Sequence, residues 1–202
     1  MKRLILALCC LFSPALAQEK YPPMHRLTWE EYAATLAHWR KAYPKVATLE
    51  SRGMSGQNMP VYLLKITDST VKSTDKQVCL VTTLHSGPER TGTTGAMAFA
   101  EWCLSDEPLA VETRKRQIVL IMPCVNPLAM FYTDRFRNEH GADPYTGTGR
   151  VGKIWDVKSL TISEPEDAPE LAAVLWVIDE YQPGVHAGLH GTETILLAED
   201  EE

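Results

Sequence analysis

The chain has 202 residues, of which 45% are hydrophobic and 23% charged, with a formal net charge of −6. That is enough apolar material for one packed domain. An acidic chain with no basic stripe excludes a nucleic-acid partner, and the absence of any CxxC pair or Cys/His finger spacing excludes a structural zinc finger.

Lys2 and Arg3, the apolar run Leu4 to Phe12, and the small-x-small end Ala15-Leu16-Ala17 have the three-part form of a secretory signal. The run is too short to span a bilayer, so stable membrane insertion is not expected. Residues 1–17 are therefore expected to be a leader, with residues 18–202 as a single domain that is secreted or periplasmic. Loss of Lys2 and Arg3 takes the charge from −6 to −8. Cys79, Cys103 and Cys124 remain, an odd number that allows at most one disulfide.

Thr28-Trp29-Glu30-Glu31 has the form of a capping box, and Tyr32, Leu36 and Trp39 follow at helical spacing, so a helix is expected from here to before Pro44. Residues 46–51 and 61–66 read as two strands around the turn-rich segment 53–58. Residues 78–84 form a nearly continuous apolar run, as a strand buried on both faces requires. A helix is expected over 94–104, ending near Pro108, and a second buried strand over 117–122. From Asn126 to about Leu160 periodicity is lost, and this stretch reads as a long surface loop of the kind that carries function. Ser163-Glu164-Pro165-Glu166 reads as the next helix start, with Ser163 as its cap and Leu171, Val174, Leu175 and Ile178 as its apolar face. Residues 185–190 read as a final strand, and 199–202 as a solvated acidic tail. Helices alternating with buried strands predict an α/β fold, a mixed central sheet flanked by helices.

The chemistry concentrates where the run 78–84 stops, at His85-Ser86-Gly87-Pro88-Glu89. A histidine and a carboxylate in one loop can grip one divalent metal, and His190, at the end of the last strand, is placed to be the third ligand. Two His and one Glu with a fourth position left for water is the pattern of a catalytic Zn²⁺ site. Against this stand plainer roles: His85 and His190 as ordinary strand-end residues, and Glu89 as a helix cap. His186 shares a strand face with His190 and reads as a packed residue. Trp102 and Trp176 read as core, and His25, His38 and His140 as surface.

These residues resemble the zinc carboxypeptidases of the funnelin (M14) type. The resemblance is carried, in order, by Tyr43-Pro44, by Gly53-x-Ser55-Gly56 followed by Leu64-Lys65-Ile66, by His85…Glu89, by Asn126-Pro127, by Ser163-Glu164-Pro165-Glu166 and by His190-Gly191. It implies a zinc-carboxypeptidase-like α/β domain, with His85, Glu89 and His190 as metal ligands and Arg137 (Arg135 being the alternative) as the arginine that stabilises the oxyanion. The activity implied is a zinc-dependent metallopeptidase that hydrolyses a peptide or amide bond with a metal-activated water, on a peptide or peptidoglycan-like substrate. Three departures accompany the likeness. The ligand pair is His-x-x-x-Glu, one residue longer than the family's His-x-x-Glu. Tyr145-Thr146 stand after Gly141-Ala142-Asp143, where the family places an Asn-Arg pair for the substrate carboxylate. Only twelve residues follow His190, and none matches the family's general-base glutamate. The resemblance thus implies a domain lacking its C-terminal part, with impaired hydrolysis or, as the alternative, a non-catalytic zinc-binding module.

Overall fold

The computed structural model describes residues 27–83, 89–133, 136–144, 155–156, 161–162 and 165–191. The leader at 1–17, the acidic tail and the helix cap read at Ser163 lie outside these residues.

The first helix, α1 (Trp29–Ala42), starts where the sequence places it. Thr28 Oγ1 accepts from the Glu31 amide, and the Glu31 carboxylate accepts from the Thr28 amide, so two otherwise orphaned donors are satisfied together. Tyr32, Leu36 and Trp39 form its buried stripe. The hairpin strands are longer than the sequence suggested. Strand β1 (Ala47–Ser55) and β2 (Met59–Ile66) close through Gly56–Asn58, where Gln57 and Asn58 take positive φ. Next come β3 (Gln77–Thr83), α2 (Arg90–Leu104), α3 (Pro108–Arg116) and β4 (Gln117–Met122). After a π-helical turn at Ala129–Thr133 and the two-residue strands β5 (Trp155–Asp156) and β6 (Thr161–Ile162), the described chain closes with α4 (Pro169–Tyr181) and β7 (Val185–Leu189).

The sheet order is β1-β2-β4-β3-β7. The first two pairings are antiparallel, while β4-β3 and β3-β7 are parallel, so this is the expected mixed sheet. Side-chain alternation builds one core on each face. Leu64, Ile66, Val119 and Ile121 pack against α1 and α2. Leu63, Leu80, Leu120 and Met122 pack against α4 through Val174 and Val177.

Four sequence expectations change. Helix α3 was missed because Pro108 reads as a stop, whereas here it occupies the first turn of a new helix, where a missing N–H costs nothing. Arg114 then reaches back from α3 to the Cys103 and Ser105 carbonyls at 2.5 and 2.7 Å, neutralising the C-terminal end of α2. Helix α4 begins at Pro169 and has Ala168 at its cap position, so Pro165-Glu166 lies in the preceding turn and the opening Pro-Glu pair is 169–170. The segment after β4 is not a surface loop throughout: Asn126, Leu128, Ala129, Met130, Asn138 and Ala142 are buried. Trp176 is not core but 52% exposed. Cys79, Cys103 and Cys124 are free thiols, and burial pushes the Cys103 thiol up to about 12, which makes it inert as a nucleophile.

Replacing Thr28 with alanine removes one half of the capping box. A loss of about 1 kcal/mol of unfolding free energy is expected, read as a lower urea midpoint at unchanged slope; an unaltered midpoint would show that the box contributes nothing.

Candidate metal centre

The candidate site is built from the C-terminal ends of the parallel strands. Strand β3 is pinned at its last residue. Thr83 Oγ1 donates to the Pro123 carbonyl at 2.5 Å, and the Thr83 carbonyl accepts from the Val125 amide at 3.0 Å, which locks it to the chain leaving β4. On the other side β7 pairs with β3 up to Thr83↔Leu189. The ends of β3 and β7 therefore lie side by side, and two described residues beyond them approach each other.

One of them is Glu89, at the N-cap position of α2. Its side chain makes no capping hydrogen bond, so of the plain reading only the favourable charge of a carboxylate at a helix start is left. Instead the carboxylate turns to the first residue beyond β7. The Nδ1–H of His190 donates to Glu89 Oε2 at 2.8 Å, across 101 residues of sequence. The two side chains are 19% and 38% exposed, so the pair is reachable from solvent.

This approach depends on two glycines. A Cβ on Gly92 would lie 2.6 Å from the Leu189 carbonyl oxygen. A Cβ on Gly191 would lie 2.2 Å from Thr91 Oγ1 and 3.2 Å from the Glu89 backbone. The first turn of α2 thus rests directly on the backbone at the end of β7, and that contact sets the spacing between Glu89 and His190.

His85 lies outside the described residues. Among those described, no group of three or more His, Cys, Asp or Glu side chains gathers as a metal site. The two ligand candidates that are described do converge. Imidazole nitrogen and carboxylate oxygen are both zinc donors, and a four-coordinate ion with bonds of about 2.0–2.1 Å holds neighbouring donors roughly 3.3 Å apart. The 2.8 Å hydrogen bond would need to open by only about half an ångström to admit one. The two described donors fit zinc. His186 is exposed on β7 rather than packed as expected: its Nε2 and Thr82 Oγ1 are 2.9 Å apart, and partial desolvation holds its pKa below the usual histidine value.

Arg137 sits on the loop after the π-helical turn and is exposed, its Nη1 donating to the Gly141 carbonyl at 2.6 Å. Beneath that loop is a polar cluster with no expectation attached to it. Glu170, in the first turn of α4, is fully buried. It accepts from Ser55 Oγ at 2.6 Å and from Asn138 Nδ2 at 2.9 Å. Burial raises its pKa, and the Ser55 and Asn138 hydrogen bonds work against that rise. A cavity of about 660 Å³ is at the opposite end of the sheet. Its Lys76 ammonium is already engaged by Thr67 and the Asp68 and Arg114 carbonyls, and none of the candidate site residues lines it.

The sequence model of the zinc carboxypeptidases (peptidase M14) matches residues 32–199, most of the chain. The chain belongs to the zinc carboxypeptidase family. Its fold agrees with solved members at low identity. A metallo-carboxypeptidase from Burkholderia cenocepacia is 20% identical, with a TM-score of 0.67 over 81% of this chain and 41% of that one. Carboxypeptidase A from Helicoverpa armigera is 18% identical, with a TM-score of 0.64 over 82% of this chain and 46% of that one. A metallo-carboxypeptidase from Pseudomonas aeruginosa is 17% identical, with a TM-score of 0.61 over 81% and 40%. The chain spans less than half the length of each. No curated protein matches the sequence.

Two predictions follow from this geometry. In an open helix, glycine to alanine gains up to about 1 kcal/mol. Gly92→Ala is expected instead to lose about 1–3 kcal/mol, the usual cost of overpacking; urea unfolding that shows a gain would refute the close contact between α2 and β7. The second concerns pH. Because the folded pKa of Glu170 lies above its unfolded value, its contribution to stability is present below the usual glutamate range and is lost as pH rises through the folded pKa. The facing groups are Ser55 from β1, and Asn138 and the more distant His140 from the loop. Unfolding free energies of the wild type and Glu170→Gln, compared from acid to neutral pH, are expected to shift against the wild type as pH rises. A constant difference would show that Glu170 is not desolvated in the fold.

Proposed function

We propose that this chain carries the metal-binding part of a zinc-dependent metallopeptidase that hydrolyses a peptide or amide bond. The observation that carries the reading is the 2.8 Å approach of His190 Nδ1 to Glu89 Oε2 at the strand ends, in a chain matched over residues 32–199 by the zinc carboxypeptidase model. Glu89 Oε2 and His190 Nδ1, the two atoms that face each other, would hold the ion together with His85. A bound zinc supplies a Lewis acid for the scissile carbonyl and brings the pKa of its water towards about 7.

The chain's own residues supply position and charge. Gly92 and Gly191 let the first turn of α2 and the end of β7 touch, which keeps the two donors within reach of one ion. The exposed Arg137 guanidinium, on the loop after β4, would stabilise the negative charge that develops on the substrate carbonyl oxygen. The substrate class is a peptide or peptidoglycan-like amide, and the leader read at residues 1–17 would deliver the protein to a secreted or periplasmic location.

The test is zinc stoichiometry by mass spectrometry together with hydrolysis of a peptide library, with His190→Ala and Arg137→Ala as variants. Near one zinc per chain is expected. His190→Ala is expected to weaken zinc by more than the 10- to 100-fold typical of losing an outer-shell partner. Arg137→Ala is expected to retain zinc and lose about 10²–10³ in kcat, the usual effect of removing an oxyanion donor. Stoichiometric zinc without hydrolysis would make the chain a zinc-binding module, and absence of zinc would overturn the reading.

A further inference from the structure

Glu170 has features of a residue kept for a purpose other than stability. A fully buried carboxylate is costly unless every lone pair it presents is used. The partners of its two oxygens, Ser55 Oγ–H and Asn138 Nδ2–H, are both neutral, and they come from distant parts of the chain, the end of β1 and the loop after β4. An apolar residue in the first turn of α4 would meet the demands of packing alone.

The carboxyl group is one of the partners that fix the direction of the Asn138 side-chain amide. Glu170 Oε2 and the Asp167 carbonyl both accept from Nδ2, so Oδ1 faces the other way. Nδ2 also donates to the Asp167 carbonyl at 2.8 Å, in the turn just before α4. Oδ1 accepts from the amides of His140 and Ala142, both at 3.0 Å. The backbone of Asn138 closes the same turn, its amide donating to the Ala142 carbonyl at 2.8 Å and its carbonyl accepting from the Gly141 amide at 3.1 Å. Asn138 is itself only 6% exposed, so this hub is sealed from water. The Gly141 carbonyl, oriented by that turn, then takes the Arg137 guanidinium at 2.6 Å.

We propose that Glu170 is a positioning residue for Arg137, acting through Asn138: with the Asp167 carbonyl it anchors the amide whose Oδ1 holds residues 138–142 in the turn, and the Gly141 carbonyl of that turn aims the guanidinium. The order of dependence runs from the carboxylate to the amide, from the amide to the turn, and from the turn to the arginine. It rests on the reading of Arg137 as the oxyanion residue for its bearing on catalysis, but not for the coupling itself.

The coupling can be read without zinc or substrate, by NMR on the ¹⁵N-labelled full chain. The probes are the Arg137 side-chain Nε–Hε resonance and hydrogen exchange at the His140 and Ala142 amides, with the Leu80 and Leu120 amides in the sheet as reference. Glu170→Ala is expected to move the Arg137 resonance to the position of a free guanidinium. Exchange at His140 and Ala142 is expected to rise about tenfold, the size associated with losing one hydrogen bond, with the sheet amides unchanged. Glu170→Gln is expected to restore both signals, because Oε1 can accept from Asn138 while Nε2–H donates to a Ser55 hydroxyl that has turned to accept. Should Glu170→Ala not fold, Asn138→Ala, which cuts the same chain on the loop side, is expected to give the same changes. An unmoved Arg137 resonance and unchanged loop exchange in either alanine variant would overturn the proposal, as would exchange rising equally in loop and sheet. A chain that binds no zinc or hydrolyses nothing would refute the proposed function while leaving this coupling measurable.

Discussion

Strand β3 has a parallel neighbour on each side, and most of the molecule follows from that. Two parallel strands cannot be joined by a tight turn, so the chain must cross over the sheet and return to the same end before it can pair again. From β3 it returns through α2 and α3 to β4, and from β4 it returns through α4 to β7. Both returns leave strand C-termini at one edge, which is where open α/β sheets gather their chemistry. The register Thr83↔Leu189 brings the ends of β3 and β7 level. Glu89, opening the helix that follows β3, and His190, the next residue after β7, then meet although they are 101 residues apart. The two bonds of Thr83 to the chain beyond β4 keep the middle of this edge from moving.

Features that depend on local physics were legible in the sequence. The box at Thr28 and Glu31 closes within one turn, and the runs at 78–84 and 117–122 announce strands covered on both faces. The donors at Glu89 and His190 were visible as residue types in strand-end positions, and their meeting is what the crossovers supply; His85 lies outside the described residues, and Arg137 makes its contact within its own loop. Features decided by distant contacts were not legible. Ser163-Glu164-Pro165-Glu166 fits a capping template, but α4 opens four residues later at Pro169-Glu170, where Glu170 is drawn inward by Ser55, 115 residues away. Asn138 looks like any polar loop residue until Glu170 faces it. Pro108 carries two local meanings, the end of one helix or the first turn of the next, and only the grip of Arg114 on the end of α2 selects the second. Trp176 reads as core by residue type, but with Leu171, Val174 and Leu175 buried, helical spacing sets position 176 on the opposite face.

The two polar clusters of this molecule are built for opposite behaviour. Glu89 and His190 are partly exposed, and a hydrogen-bonded pair open to solvent contributes at most about 1 kcal/mol, so parting them to admit another partner is easy. Glu170 and Asn138 are sealed, and removing either leaves a buried polar group unsatisfied at a cost of about 1–3 kcal/mol. The adjustable pair therefore lies where a ligand can arrive, and the rigid network lies under the loop that carries the exposed arginine. Exchanging their environments would change both: a sealed Glu89–His190 pair would resist parting, and a solvated Glu170 would trade its hydrogen bonds to Ser55 and Asn138 for water.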